Sequence, residues 1–141
     1  MSESTEFPPT PAPQPQTQLD EEFWAHCAEE RLCFQACQSC DTWRHLPRIM
    51  CASCGSPDWE WRESSGRGRL YSWTVTHQAM MPQFAPQVPY IVAVVELEEG
   101  VRMISHLRGI DPAELELNLR VELEFKRLND DVVLPMFLVK R

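Results

Sequence analysis

The chain has 141 residues, 12 of them proline and 6 cysteine, with a formal charge of -8. That length holds one domain with additions, or two very small units, and leaves little room for a substrate-enclosing active site. The acidity repels a polyphosphate backbone and argues against wholesale nucleic-acid binding.

Residues 1–18 read as a tail. Pro8, Pro9, Pro11, Pro13 and Pro15 alternate with small polar residues, which bars a packed helix and supplies no core. Asp20 then reads as an N-cap, with Glu21 and Glu22 in the first turn of a short helix within residues 19–32. This helix pairs Phe23 with Cys27, and Trp24 with Ala28, at i, i+4. About three turns cannot stand alone, so the apolar stripe must dock on this chain or on a partner.

Residues 33–58 form the most informative stretch. Cys37-Gln38-Ser39-Cys40 and Cys51-Ala52-Ser53-Cys54 are two CxxC pairs separated by ten residues. This spacing brings four thiolates onto one tetrahedral metal ion, usually Zn²⁺. Four cysteines leave no open position for water, so the expected site is structural rather than catalytic. Gly55 suits the turn closing the second knuckle. Cys27 and Cys33 fall outside the spacing and are expected to be buried structural thiols.

From residue 59 the pattern changes to strands. Arg69–His77, Tyr90–Glu96, Val101–Leu107, Arg120–Arg127 and Val132–Val139 are rich in β-branched and aromatic residues, or alternate apolar with charged ones. Residues 78–89 are a long, partly apolar loop. Asp111-Pro112 opens a single helical turn between the third and fourth strands. Five strands with that turn match a small Greek-key barrel of the OB type over residues 59–141. The fold expected is therefore mainly β: an N-terminal helix, a metal ribbon, then a five-stranded OB-fold barrel.

Nothing at the N-terminus reads as a signal peptide, and no apolar stretch approaches the roughly 20 residues needed to span a bilayer. The expected location is the cytoplasm, where paired cysteines favour metal over disulfides.

Several motifs in order carry a family resemblance. These are Phe23-Trp24, Phe34-Gln35-Ala36-Cys37-Gln38-Ser39-Cys40, the run from Pro47 to Ser56, Gly68 to His77, Pro89 to Gly100, and Leu134-Pro135-Met136-Phe137. Together they resemble the "domain of unknown function 35" OB-fold family with its rubredoxin-like zinc ribbon. Asp41 stands where the family usually has Gly, Ala52 where Pro is common, and Asn118-Leu119 where Gly-Met is common. None of these departures removes a ligand. The resemblance implies a non-catalytic accessory subunit of a thiolase-superfamily enzyme that makes or breaks C–C bonds on acyl-CoA thioesters. It implies a hetero-oligomer, with a heterotetramer around a thiolase dimer expected. It also implies one structural Zn²⁺ per chain and a coenzyme A thioester at or near the interface.

Residues 1–36 carry a net charge of -6, residues 37–69 +1, and residues 70–141 -3. Among Arg44, Arg48, Arg62, Arg67 and Arg69, the preferred phosphate contacts are Arg48, Arg67 and Arg69, because the guanidinium fork donates two parallel bonds. The bland reading of these arginines is a solvated face. His77, Phe84 and Tyr90 are candidates for shaping an acyl channel at the barrel mouth, against a bland reading of loop packing. Phe23 and Trp24 serve either internal packing or burial against a partner. Two other classes compete: a zinc-ribbon OB-fold nucleic-acid module, and a small acyl-CoA hydrolase. The charge opposes the first, and no assembled nucleophile, base and oxyanion donors support the second.

Overall fold

A computed structural model describes residues 12–140. The expected tail therefore lies largely outside the described residues. The first helix, α1, spans Gln18–Ala28. It starts earlier than Asp20 because Thr17 is the N-cap, its Oγ1 accepting from Asp20 N–H at 3.1 Å. Asp20 instead serves the first turn. Phe23 and Cys27 are the buried pair of α1.

A three-stranded antiparallel sheet follows, in the order β2-β1-β3, with β1 Cys33–Cys37, β2 Trp43–Arg44 and β3 Trp59–Glu63. Every residue of β1 is buried. Cys37 of β1 pairs with Trp59 and Cys33 with Glu63. This corrects the expected boundary at residue 58: the strand after it completes the ribbon sheet, and the barrel begins only at Arg67. The second sheet is a closed barrel in the order β4-β5-β6-β8-β7, with β4 returning to β7. Its strands are β4 Arg67–Thr76, β5 Tyr90–Leu97, β6 Arg102–Arg108, β7 Arg120–Arg127 and β8 Val133–Val139. The β6–β8 pair is parallel and closes the barrel, with Ser105 Oγ donating to Pro135 O at 2.7 Å beside it. This is the expected five-stranded OB barrel. The long loop carries a 3-10 helix over Pro82–Gln87, and the expected single turn is a 3-10 helix over Pro112–Glu114 capped by Asp111.

Strand β5 alternates without a break, turning Ile91, Ala93, Val95 and Leu97 inward. They meet Leu70, Leu107, Val121 and Phe137 in one core cluster that continues into Phe23, Cys27, Leu32 and Phe34. The helix joins the two sheets. The Phe23 ring lies 6.4 Å from Phe34 of β1 and 4.9 Å from His45. On its other side, Trp24 faces β6 and β8 across an apolar groove with Met103, Ile104, Leu134 and Met136. A polar clamp adds a second joint. Ser64 Oγ and Ser65 N donate to the Glu99 carboxylate at 2.6 and 2.9 Å, and Ser65 Oγ donates to Glu98 at 2.9 Å.

Candidate metal centre and its surroundings

The four CxxC cysteines converge, with every sulfur within 4.8 Å of the others. Cys37 Sγ lies 3.6 Å from Cys54 Sγ, and Cys40 Sγ lies 3.6 Å from Cys51 Sγ. Disulfide sulfurs stand at about 2.0 Å, so these are not bridges. Bonds of about 2.3 Å to a central ion set tetrahedral corners roughly 3.8 Å apart, so the donor set fits one metal.

The backbone builds the two knuckles alike. Asp41 N donates to Cys37 O at 2.9 Å, and Gly55 N donates to Cys51 O at 2.8 Å. Cys37 N donates to Thr42 O, and Cys51 N to Ser56 O, both at 2.9 Å. Each turn needs a left-handed residue after its second cysteine: Gly55 has φ 78° and Asp41 has φ 63°. Aspartate is among the side chains that tolerate that region, so the departure from glycine keeps the turn.

The turns also prepare the thiols. Backbone N–H groups of Cys54 and Ser53 lower the Cys51 thiol to about 6. Burial raises Cys37, but N–H groups of Cys40 and Ser39 outweigh it and leave that thiol lowered. The Ser56 N–H lowers Cys54, yet the crowding thiols of Cys37, Cys40 and Cys51 push it up to about 12. Metal binding displaces the protons that the thiols hold.

Beneath the second knuckle lies a network that the sequence did not single out. Gln35 and Arg44 are buried. Arg44 Nε donates to Gln35 Oε1 at 3.0 Å, and Arg44 Nη2 donates to Arg48 O at 2.8 Å. Arg48 N donates to Gln35 Oε1 at 2.7 Å, and Gln35 Nε2 returns a bond to Arg48 O at 2.8 Å. The segment leading into Cys51 is thereby pinned to β1. Burial in a strand of Cys, Phe, Gln and Ala gives no polar alternation, so Gln35 carried no signal.

The other candidates fall into separate groups. Arg48 projects an exposed side chain at a cleft between ribbon and barrel. Arg67 and Arg69 line a basin on the outer barrel wall. Arg62 is committed to Glu60 at 2.6 Å and Asp41 at 3.3 Å. His77, Phe84 and Tyr90 lie at the opposite end of β4 and β5. Tyr90 pairs with Thr76, seven residues from Arg69, or roughly 23 Å along the strand. Phe84 approaches Tyr90 at 6.1 Å, Tyr90 stacks on His106 at 5.2 Å, and His77 is exposed. Phe23 is buried in the chain's own core, whereas Trp24 is half-buried. Burial, with Cys33 nearby, pushes the Cys27 thiol up to about 12, which makes it inert as a nucleophile.

A closed OB barrel carrying a four-cysteine rubredoxin-like ribbon defines a zinc-ribbon OB-fold protein. Family models agree in both parts: "ChsH2, rubredoxin-like zinc ribbon domain" over residues 24–60 and "ChsH2, C-terminal OB-fold domain" over residues 61–126. The chain belongs to this DUF35/ChsH2 family. It is 32% identical over 111 residues to a DUF35 domain-containing scaffold protein of Methanocaldococcus jannaschii, covering 77% of each chain. It is 40% identical over 126 residues to a probable enoyl-CoA hydratase alpha subunit of Thermomonospora curvata. That match takes in 89% of this chain but 39% of the relative. A solved structure described as an Ltp2-ChsH2(DUF35) aldolase superposes with TM-score 0.79 at 36% identity, covering 87% of this chain and 95% of the other.

Proposed function

We propose that this chain is a non-catalytic accessory subunit of a thiolase-superfamily enzyme that makes or breaks C–C bonds on acyl-CoA substrates in the cytoplasm. The observation that supports the reading is the likeness, over 87% of this chain and 95% of the other, to a chain of the Ltp2-ChsH2(DUF35) aldolase. The site chemistry agrees with it. Among the described residues the titratable side chains assemble no nucleophile and base, and the four-cysteine cluster leaves a tetrahedral metal no open position. The ion we assign is one Zn²⁺ per chain, held by Cys37, Cys40, Cys51 and Cys54. Its role is to fix the ribbon, and metal analysis of freshly purified protein checks both identity and stoichiometry.

The partner surface we assign centres on Trp24 and its groove, flanked by Ile104 at 69% exposure. The ribbon tip adds Leu46, Ile49 and Met50, all exposed. Exposed apolar groups in such number on a small acidic chain favour burial against a protein. Phe23 supports this face from below. The CoA thioester is assigned to the region near the interface, with Arg48, Arg67 and Arg69 toward its phosphates and His77, Phe84 and Tyr90 toward an acyl channel. Co-purification with a thiolase-like enzyme tests the reading. A candidate partner that is equally stable and active without this chain defeats it.

A further inference from the structure

Two hollows adjoin on the barrel wall. The larger, of about 910 Å³, is lined by Arg67, Arg69, Arg120 and Lys140. The smaller, of about 290 Å³, lies between ribbon and barrel and is lined by Arg44, Arg48 and Arg102. Gly100 belongs to both linings, so the hollows share a wall. They gather 7 of the chain's 13 basic residues and only 3 of its 21 acidic ones. Such segregation on a chain of charge -8 runs against its overall composition.

The pairing inside the basin is uneven. Glu98 holds Arg67 at 3.1 Å, Glu122 holds Lys140 at 3.7 Å, and Glu96 holds Arg102 at 3.1 Å. All three acidic residues are therefore engaged. Arg69 and Arg120 remain, and they are direct cross-strand partners on β4 and β7. Like charges directly opposite destabilise a sheet. Among the described residues neither arginine forms an ion pair, and Glu96, which faces Arg69 from β5, is drawn to Arg102 at 3.1 Å. In the adjoining cleft, Arg44 is 6% exposed, and its guanidinium meets only neutral acceptors. Its third nitrogen, Nη1, is buried with no partner. No acidic side chain lines that cleft. Metal-bound thiolates next to it carry two net negative charges, which Arg44 and Arg48 offset, so the surplus of cations sits toward Arg69 and Arg120.

We propose that the two hollows form one binding track for a phosphate-bearing small molecule, with Arg69 and Arg120 as its principal phosphate seat. One phosphate group carries up to two negative charges and several acceptor oxygens. It relieves both arginines at once and takes the fork geometry that guanidinium offers. An extended nucleic acid is a poorer occupant, because the acidic remainder of the chain repels it beyond the track. The inference deepens the assignment of Arg48, Arg67 and Arg69 to thioester phosphates and rests on that part of the proposed function, but it does not need the partner enzyme.

Calorimetry on the full, zinc-loaded chain without any partner enzyme tests it, using inorganic pyrophosphate and adenosine 3′,5′-bisphosphate as probes. The expected result is saturable binding that weakens with salt. The double variant Arg69→Gln/Arg120→Gln, at two exposed positions, should weaken it roughly tenfold or more. Arg31→Gln, which removes a cation paired with Glu63 off the track, should leave it unchanged. Equal binding of the two probes assigns the site to free phosphate; tighter binding of the nucleotide assigns it to carried phosphates. Either result supports the track. Failure of the folded wild type to bind either probe overturns it, as does equal weakening by Arg31→Gln or a preference for an acidic peptide over both. A partner can still co-purify in that event, so the two readings fail separately.

Discussion

Gly68 shows how a single residue sets the geometry near the charged track. A Cβ built there stands 2.5 Å from the backbone oxygen of Glu96, which a paired strand cannot withdraw. Gly68→Ala should therefore destabilise the barrel by about 2 kcal/mol, seen as a lower urea midpoint with an unchanged slope. His45 gives a second residue-scale test. Burial lowers its pKa to about 4, with Asp20 opposing, so the fold holds the neutral ring against Phe23 and Phe34. The ordinary value is 6.5, so the unfolded chain takes up the proton first as pH falls. The stabilisation is complete above pH 6.5 and is lost as pH drops toward 4. In saturating zinc, wild type should lose about 1.4 kcal/mol relative to His45→Gln between pH 7.5 and 5.5. A difference that stays flat across that range would remove His45 from the acid response. The four ligand cysteines were legible because their spacing alone encodes the site. Arg120 was not, because only the β4–β7 register sets it opposite Arg69.

The ribbon is the element most dependent on its metal. Its sheet contains a two-residue strand, and its two knuckles meet through the four-cysteine cluster. Chelation should unfold this element first while the barrel keeps its amide protection, because the barrel core is built from β4 to β8. Trp43, Trp59 and Trp61 sit in the ribbon, so the change should register in tryptophan fluorescence, with hydrogen exchange separating ribbon from barrel. Barrel and ribbon amides exchanging together would contradict this division. Strand β7 was readable because alternation marks a half-buried face, and β5 because its β-branched run favours a strand. Strand β3 was not among the strands marked out, since its partner β1 lies more than twenty residues earlier and no local pattern names it. The all-buried β1 has no alternation to read.

At the scale of the molecule, α1 acts as the joint between two small sheets that share one core. Trp24 is the part of that joint left half open, beside exposed Ile104. Trp24→Ala should reduce recovery of a thiolase-like partner in pull-down by roughly tenfold, while the isolated chain stays folded by circular dichroism. Unchanged recovery would move the interface elsewhere. The overall architecture was legible because metal spacing, strand pattern and turn residues agreed. The placement of the charges was not, since it depends on which strand ends meet.

Barrel closure has a further consequence for how this chain can be recruited. With β4 bonded to both β5 and β7, every barrel strand has a neighbour on each side, and none presents a wholly unpaired edge. Among the described sheets, wholly unpaired edges belong to β2, which is two residues long, and to β3, whose Glu60, Arg62 and Glu63 are charged. Short and charged margins are poor templates for strand addition. A partner must therefore recognise this chain by shape and side chains rather than by extending its sheet, and the same margins guard it against self-assembly into fibres.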